Sequence, residues 1–118
     1  MAIARAAAIL LLAGLLAACG EPVPKARAAY VGEWRGEKML LVITQDGFVR
    51  YARRREGGET TINAPIQRFD GDNFVVGVGP VSTTFVVSKP PHLDGAAWKM
   101  TVDGIELIRH SGPSEFNT

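Results

Sequence analysis

Turn-forming dipeptides recur at short spacing through the chain, and their spacing constrains the fold more than any other feature. The six dipeptides are Asp46-Gly47, Gly57-Gly58, Asp70-Gly71, Gly79-Pro80, Asp94-Gly95 and Asp103-Gly104. Between them lie runs rich in Val, Ile, Phe, Tyr and Thr, the residue types that favour strands. Short strands separated by regular turns predict an all-β sandwich or barrel.

The runs predict about eight short strands whose order in the sheet follows the chain, as in a small antiparallel up-and-down barrel. Five of the strands are predicted at residues 31–35, 60–63, 66–69, 73–78 and 81–88. The others flank Asp46-Gly47 and Asp103-Gly104. The dipeptide Asp70-Gly71 is typical of a hairpin turn, and Lys89-Pro90-Pro91-His92 predicts a loop, or a polyproline stretch presented to a partner.

The two Asp-Gly hairpins allow a residue-by-residue register, because a two-residue loop in a type I′ turn fixes which residues are paired. Around Asp103-Gly104 the predicted pairs are Val102–Ile105, Met100–Leu107 and Trp98–Arg109, which place an apolar face on one side and Lys99, Thr101, Glu106 and Ile108 on the other. Around Asp46-Gly47 the predicted core-facing pairs are Thr44–Val49, Val42–Tyr51 and Leu40–Arg53. This register leaves Met39, Leu41 and Ile43 on the opposite face, either covered by another element or exposed as a patch for a partner.

The N-terminus has the layout of a secretory signal peptide: Arg5, an apolar run over 6–16, and small residues before Cys19. The run is 11 residues long, whereas a membrane-spanning helix needs about 20. Leu16-Ala17-Ala18-Cys19 resembles the lipobox of bacterial lipoproteins. The resemblance implies a signal helix cleaved before Cys19, acyl chains on that residue and, with Gly20 rather than Asp following, an outer-membrane anchor with the domain in the periplasm.

Cleavage would divide the chain into a signal peptide at 1–18, a lipidated Cys19 with a flexible tether to residue 29, a β-barrel domain at 30–110 and a loose tail at 111–118. The tether is predicted from Pro22 and Pro24 and from the absence of strand alternation. The remaining chain has 12 basic side chains (13 less Arg5) and 12 acidic ones. This balance argues against a nucleic-acid partner, which requires a basic excess.

Gly32-Glu33-Trp34 on the first strand resembles the Gly-x-Trp signature of lipocalin-like barrels, in which the Trp closes one end. The resemblance implies a binding module for a small apolar molecule. The candidate lining residues are Trp34, Tyr51, Phe74, Phe85 and Trp98. An eight-stranded barrel holds either its own side chains or one small ligand, so these aromatic residues are also candidates for a filled core.

The sequence predicts no enzyme, no cofactor and no metal site. His92 and His110 are the only histidines, no Gly-x-Ser-x-Gly motif is present, and Asp70 to Asn73 lacks the distal Glu of a calcium loop. The cationic run Arg53-Arg54-Arg55 indicates either contact with anionic lipid or a solvated strand end. Two functions therefore remain: a lipid-anchored barrel for a small apolar ligand, or a lipoprotein that docks an envelope protein complex through an exposed sheet face.

Overall fold

The structure, a computed structural model, describes residues 21–111 as an all-β fold, as predicted. A 3₁₀ helix at Lys25–Tyr30 precedes nine strands. The strands are β1 (Gly32–Gly36), β2 (Met39–Ile43), β3 (Phe48–Arg55), β4 (Gly58–Asp70), β5 (Asn73–Val78), β6 (Val81–Phe85), β7 (Val87–Asp94), β8 (Ala97–Val102) and β9 (Ile105–Ser111). The predicted signal peptide, Cys19 and tail residues 112–118 lie outside the described residues.

All nine strands join one antiparallel sheet in the order β6-β5-β4-β3-β2-β1-β9-β8-β7. The sheet curls into a half-barrel because β1 pairs with both β2 and β9, which brings the first and last strands together. Its two edges, β6 and β7, are consecutive in the chain and are separated only by Val86. The predicted strand 81–88 is thus divided at Val86.

The hairpin at Asp103-Gly104 is confirmed in burial and in the register of the two predicted pairs nearest the turn. Val102 pairs with Ile105 and Met100 with Leu107. Met100, Val102 and Leu107 are fully buried, whereas Ile108 on the other face is 41% exposed. The local Asp-Gly rule succeeds here because the loop has the two residues that the rule assumes.

The register predicted around Asp46-Gly47 is wrong by one residue. Ile43, not Thr44, pairs with Val49, and Leu41, not Val42, pairs with Tyr51. The loop has four residues, 44–47, and the Thr44 hydroxyl stabilises it by accepting a hydrogen bond from the Phe48 backbone N–H at 3.1 Å. A shift of one residue moves every side chain of a strand to the other face. Met39, Leu41 and Ile43 are therefore in the core, at 4%, 0% and 0% exposure, and they form no exposed patch.

One predicted loop is strand, and two predicted strands form a single strand. Lys89-Pro90-Pro91-His92 lies within β7, an edge strand with irregular pairing to β8, where proline is tolerated because one side of the strand needs no N–H donor. The predicted strands 60–63 and 66–69 are one strand, β4, which pairs first with β3 and then, from Ile66, with β5. The predicted turn at Asp70-Gly71 and the strand 73–78 are confirmed.

Residues 21–30 form a cap that packs on one end of the barrel, although 19–29 was predicted to be a flexible tether. Val23 is 4% exposed, and its backbone N–H donates to the Gln45 carbonyl at 2.9 Å. The Tyr30 hydroxyl donates to the Asp72 carbonyl at 2.8 Å. The physical reason is burial. Val23 and Tyr30 both join the hydrophobic core, so docking of the segment removes their apolar surface from water.

The two ends of the barrel follow from strand direction. Loop 44–47 and the turn at 71–72 lie at the capped end, where residues 21–30 contact them. Strand β3 starts at loop 44–47 and runs eight residues to the turn at 56–57. At about 3.3 Å per residue this is roughly 26 Å. The turn at 37–38 lies beside β3 at that far end, since the Arg54 N–H donates to the Lys38 carbonyl at 2.8 Å.

Candidate functional site

The five aromatic residues predicted to line a cavity lie on or beside the barrel core. Trp34 and Phe74 are fully buried, Phe85 is 1% exposed and Tyr51 is 5% exposed. Trp98 is half-buried and packs against the same core from its edge. The structure therefore brings four of the five together and leaves Trp98 at the margin.

Three of these rings contact one another directly. The Phe85 ring stacks on Phe74 with centroids 5.0 Å apart and an interplanar angle of 20°. Tyr51 meets Phe85 edge to face, also at 5.0 Å between centroids. Offset-stacked and edge-to-face pairs at such distances are close-packed contacts. These side chains therefore belong to the buried core cluster and pack on one another within it.

The Arg109 side chain contacts the rings of both Trp34 and Trp98. The Arg109 guanidinium carbon lies 4.9 Å from the Trp98 ring centroid and 5.8 Å from that of Trp34. The Trp34 indole N–H donates to the Tyr30 carbonyl at 2.9 Å, which ties β1 to the cap. Trp34 thus sits beneath the capped end, and its one polar atom is satisfied despite full burial.

A shallow groove of about 310 Å³ lies at the far end, on the outer surface of β1, β2 and β3. Its lining includes Arg35, Lys38, Leu40, Arg54 and Glu59. Arg35 forms an ion pair with Glu33 at 2.5 Å, while Lys38 and Arg54 form no ion pair within residues 21–111. The predicted cationic run lies at the end of β3, where Arg54 and Arg55 are exposed and Arg53 is half-buried, and it contributes Arg54 to an open, mainly cationic groove.

A second groove of about 290 Å³ lies at the capped end, between the cap and β4. Pro22, Val23 and Pro24 line one wall, and Ile66 and Phe69 are among the residues of the other. This groove was not predicted from the sequence, because the proline-containing segment has the composition of a free tether.

The tip of the β5–β6 hairpin carries the most exposed large apolar side chains among residues 21–111. Val78 is 67% exposed and its partner Val81 is 77% exposed. Strand β6 has no partner on its outer side. The sequence feature that could have predicted this exposed tip is the absence of any charged residue from 73 to 88. Sheet edges are usually protected by charged side chains.

The described ion pairs of Lys99 lie on the surface of β7, β8 and β9. Lys99 Nζ lies 3.0 Å from Asp94 Oδ2 and 3.7 Å from Glu106 Oε1. The hydrogen bond from Lys99, with its charge, lowers the pKa of the Asp94 carboxyl, and the same contact raises the pKa of Lys99. Exposed pairs of this kind stabilise a fold only weakly, and this group forms no enclosed site.

The buried phenol of Tyr30 makes stability depend on alkaline pH. Burial, followed by the Asp72 carboxylate, raises the pKa of Tyr30 above its usual 10.0. The stabilisation from Tyr30 is thus complete below the unfolded-state pKa and is lost as pH rises through the folded-state pKa. We expect Tyr30→Phe to cost about 0.5–1.5 kcal/mol near neutral pH through the lost hydrogen bond, and this cost to shrink above about pH 10. Urea unfolding of both proteins across this range measures the cost, and a cost that does not change with pH contradicts the assignment.

Neither histidine belongs to a described cluster of metal-binding side chains. His92 Nδ1 lies 2.8 Å from the Pro90 carbonyl, and His110 is exposed at the end of β9. Residues 21–111 contain no cluster of three or more His, Cys, Asp or Glu side chains placed to hold a metal ion, and no helix among them is long and apolar enough to cross a membrane.

No protein-family model, curated protein or solved structure matches the chain.

Proposed function

We propose that this protein is a lipoprotein of the bacterial outer membrane, anchored through acyl chains on Cys19, whose β-barrel in the periplasm docks an envelope protein. The observation that carries the anchor is Leu16-Ala17-Ala18-Cys19 at the end of a short apolar run. A single acyl chain binds a membrane only marginally, at about 0.8 kcal/mol per buried CH₂, whereas two or more hold a protein stably. The lipobox resemblance implies three.

The packing of the interior supports docking over the carriage of a small apolar ligand. A ligand in the barrel would have to displace Phe74 or Phe85, which are at most 1% exposed and stack on each other. Protein interiors are close-packed, so such a displacement would disrupt the core itself. The barrel is therefore proposed as a rigid body that presents its outer surface.

The surface features that support docking are on β5 and β6, not on β2. The patch considered from the sequence, Met39, Leu41 and Ile43, is core. Val78 and Val81 instead provide an exposed apolar tip beside the unpaired edge of β6. Unpaired strand edges bind extended segments of other proteins through main-chain hydrogen bonds, so an extended, uncharged segment of an envelope protein is the proposed partner.

Cys19→Ser is expected to abolish the membrane anchor. The wild-type protein should fractionate with the outer membrane and carry the mass of its acyl chains, whereas the variant should lack that mass and remain soluble or uncleaved. Intact-mass spectrometry and density-gradient fractionation measure both properties.

Gly20→Asp is the matched control, because the lipobox resemblance implies that Asp after the cysteine retains lipoproteins in the inner membrane. This variant should keep its acyl mass and change membrane. Wild-type protein without acyl mass would contradict the proposed anchor. An apolar compound that co-purifies with the wild-type domain, and is lost in a folded Phe85 variant, would instead support a ligand-binding barrel.

A further inference from the structure

The cap holds the chain firmly at its first described residues. Val23 is bonded to Gln45 in both directions: its N–H donates to the Gln45 carbonyl at 2.9 Å, and its carbonyl accepts from Gln45 Nε2 at 3.3 Å. Gly47, with φ +86°, lies so close to Glu21 that a Cβ atom on residue 47 would overlap the Glu21 carbonyl oxygen. The folded body therefore begins at residue 21, against loop 44–47.

A second set of contacts fixes the other part of the cap to the turn at 71–72. The Arg27 guanidinium donates to the Gly71 carbonyl and lies over the Phe69 ring, 5.3 Å from its centroid. The Tyr30 ring packs edge to face on Phe69, also with 5.3 Å between centroids. Hydrogen bonds at Val23 and charge-assisted and aromatic contacts at Arg27 and Tyr30 hold the two ends of the cap to the barrel as one unit.

The distance from Cys19 to this body is short. Cys19 and Glu21 are two positions apart, with only Gly20 between them. A fully extended chain covers at most about 3.6 Å per residue, so this link spans at most about 7 Å. A chain this short cannot let a barrel about 26 Å long turn over freely beneath its anchor.

We propose that the capped end of the barrel faces the membrane surface and that the far end points into the periplasm. This inference rests on the proposed acylation of Cys19. The surface that meets the lipid is formed by the exposed residues around the start of the cap, namely Glu21, Pro22, Pro24, Gln67, Arg68 and Asp46.

The capped end has a net charge close to zero, whereas the far end carries a cationic run. The cap, loop 44–47 and residues 67–72 carry four acidic side chains, Glu21, Asp46, Asp70 and Asp72, and three basic ones, Lys25, Arg27 and Arg68, so charge does not draw this end to an anionic lipid surface and the orientation rests on the short tether. The cationic Arg53-Arg54-Arg55 run lies at the far end and is directed away from the bilayer. The alternative in which this run contacts anionic lipid is thus an opposite orientation, and one experiment separates the two.

The test places a fluorescent label at each end of the acylated full-length protein in vesicles of phosphatidylethanolamine and phosphatidylglycerol that contain a quencher on the lipid headgroups. Asp46→Cys labels the capped end and Glu56→Cys the far end; both are exposed acidic positions in turns, and the Cys19 thiol is blocked by its lipid. We expect several-fold stronger quenching at position 46. Equal quenching, or stronger quenching at position 56, overturns the orientation. Asp72→Cys and Glu37→Cys form a second pair if either variant does not fold.

A linker variant isolates the contribution of tether length. Insertion of 20 Gly/Ser residues between Gly20 and Glu21 adds a flexible reach of about 25 Å and should remove the difference between the two labels while the protein still floats with the vesicles. Persistence of the full difference would mean that the short tether does not set the orientation. Failure of the unmodified protein to float with vesicles would count against the proposed anchor instead.

Discussion

Leu41→Lys is expected to unfold the barrel, whereas Leu40→Lys is expected to leave it folded. The two side chains are neighbours on β2, but Leu41 is fully buried between its partners Trp34 and Tyr51, and Leu40 is 37% exposed. Burial of an unpaired ammonium costs several kcal/mol, which is comparable to the whole stability of a small domain, about 5–15 kcal/mol. Far-UV circular dichroism and thermal unfolding of the two variants measure the difference.

The pair also tests the register of the β2–β3 hairpin. A two-residue loop at Asp46-Gly47 would place Leu40 in the core, so Leu40→Lys would then be the damaging change. The four-residue loop requires the reverse. Two variants of equal stability would contradict the alternation of buried and exposed residues on β2 altogether.

Phe85→Ala is expected to destabilise the domain by about 3–5 kcal/mol, because it removes a fully buried ring and leaves a cavity. Phe85 contacts both Phe74 and Tyr51 at 5.0 Å between ring centroids. Val81→Ala, in the same strand, is the control, since Val81 is 77% exposed and surface changes alter stability by less than about 0.5 kcal/mol. Urea denaturation at equilibrium gives both values.

The size of the Phe85 effect also bears on the competing ligand hypothesis. A filled core predicts a loss in the range for buried aromatic residues. A loss below about 1 kcal/mol would be the value expected of a loosely packed wall, and it would favour a barrel with room for a small apolar molecule.

Sequence rules for turns predicted the hairpin register correctly only where neighbouring residues alone determine it. The register at Asp103-Gly104 was predictable because its turn has two residues and its strands alternate cleanly. At Asp46-Gly47 the same dipeptide belongs to a longer loop. There the Gly47 carbonyl accepts from the Ile66 N–H at 2.7 Å, and the Glu21 carbonyl packs against Gly47. Those partners are distant in the sequence, so no local rule includes them.

The other errors have the same origin. The cap has the composition of a linker, and its docking depends on partners at a separation of 22 residues for Gln45 and 44 for Gly71. Pro90 and Pro91 predict a loop unless the strand that holds them lies at a sheet edge, and edge position is a property of topology. The location of the candidate grooves was likewise unpredictable, because each is built where separate elements meet.

The cap contacts residues that are synthesised well after it, and this affects the order in which the protein folds. A chain that emerges from its N-terminus exposes residues 21–30 before the turn at 71–72 exists, and β1 must wait for β9, the last strand of the described chain. Contacts between residues far apart in sequence form slowly. Residues 21–30 therefore lack these partners during this interval, and the proposed cleavage before Cys19 would take place while they are still undocked. Formation of the turn at 71–72 would end that interval, because Arg27 and Tyr30 donate to its carbonyls.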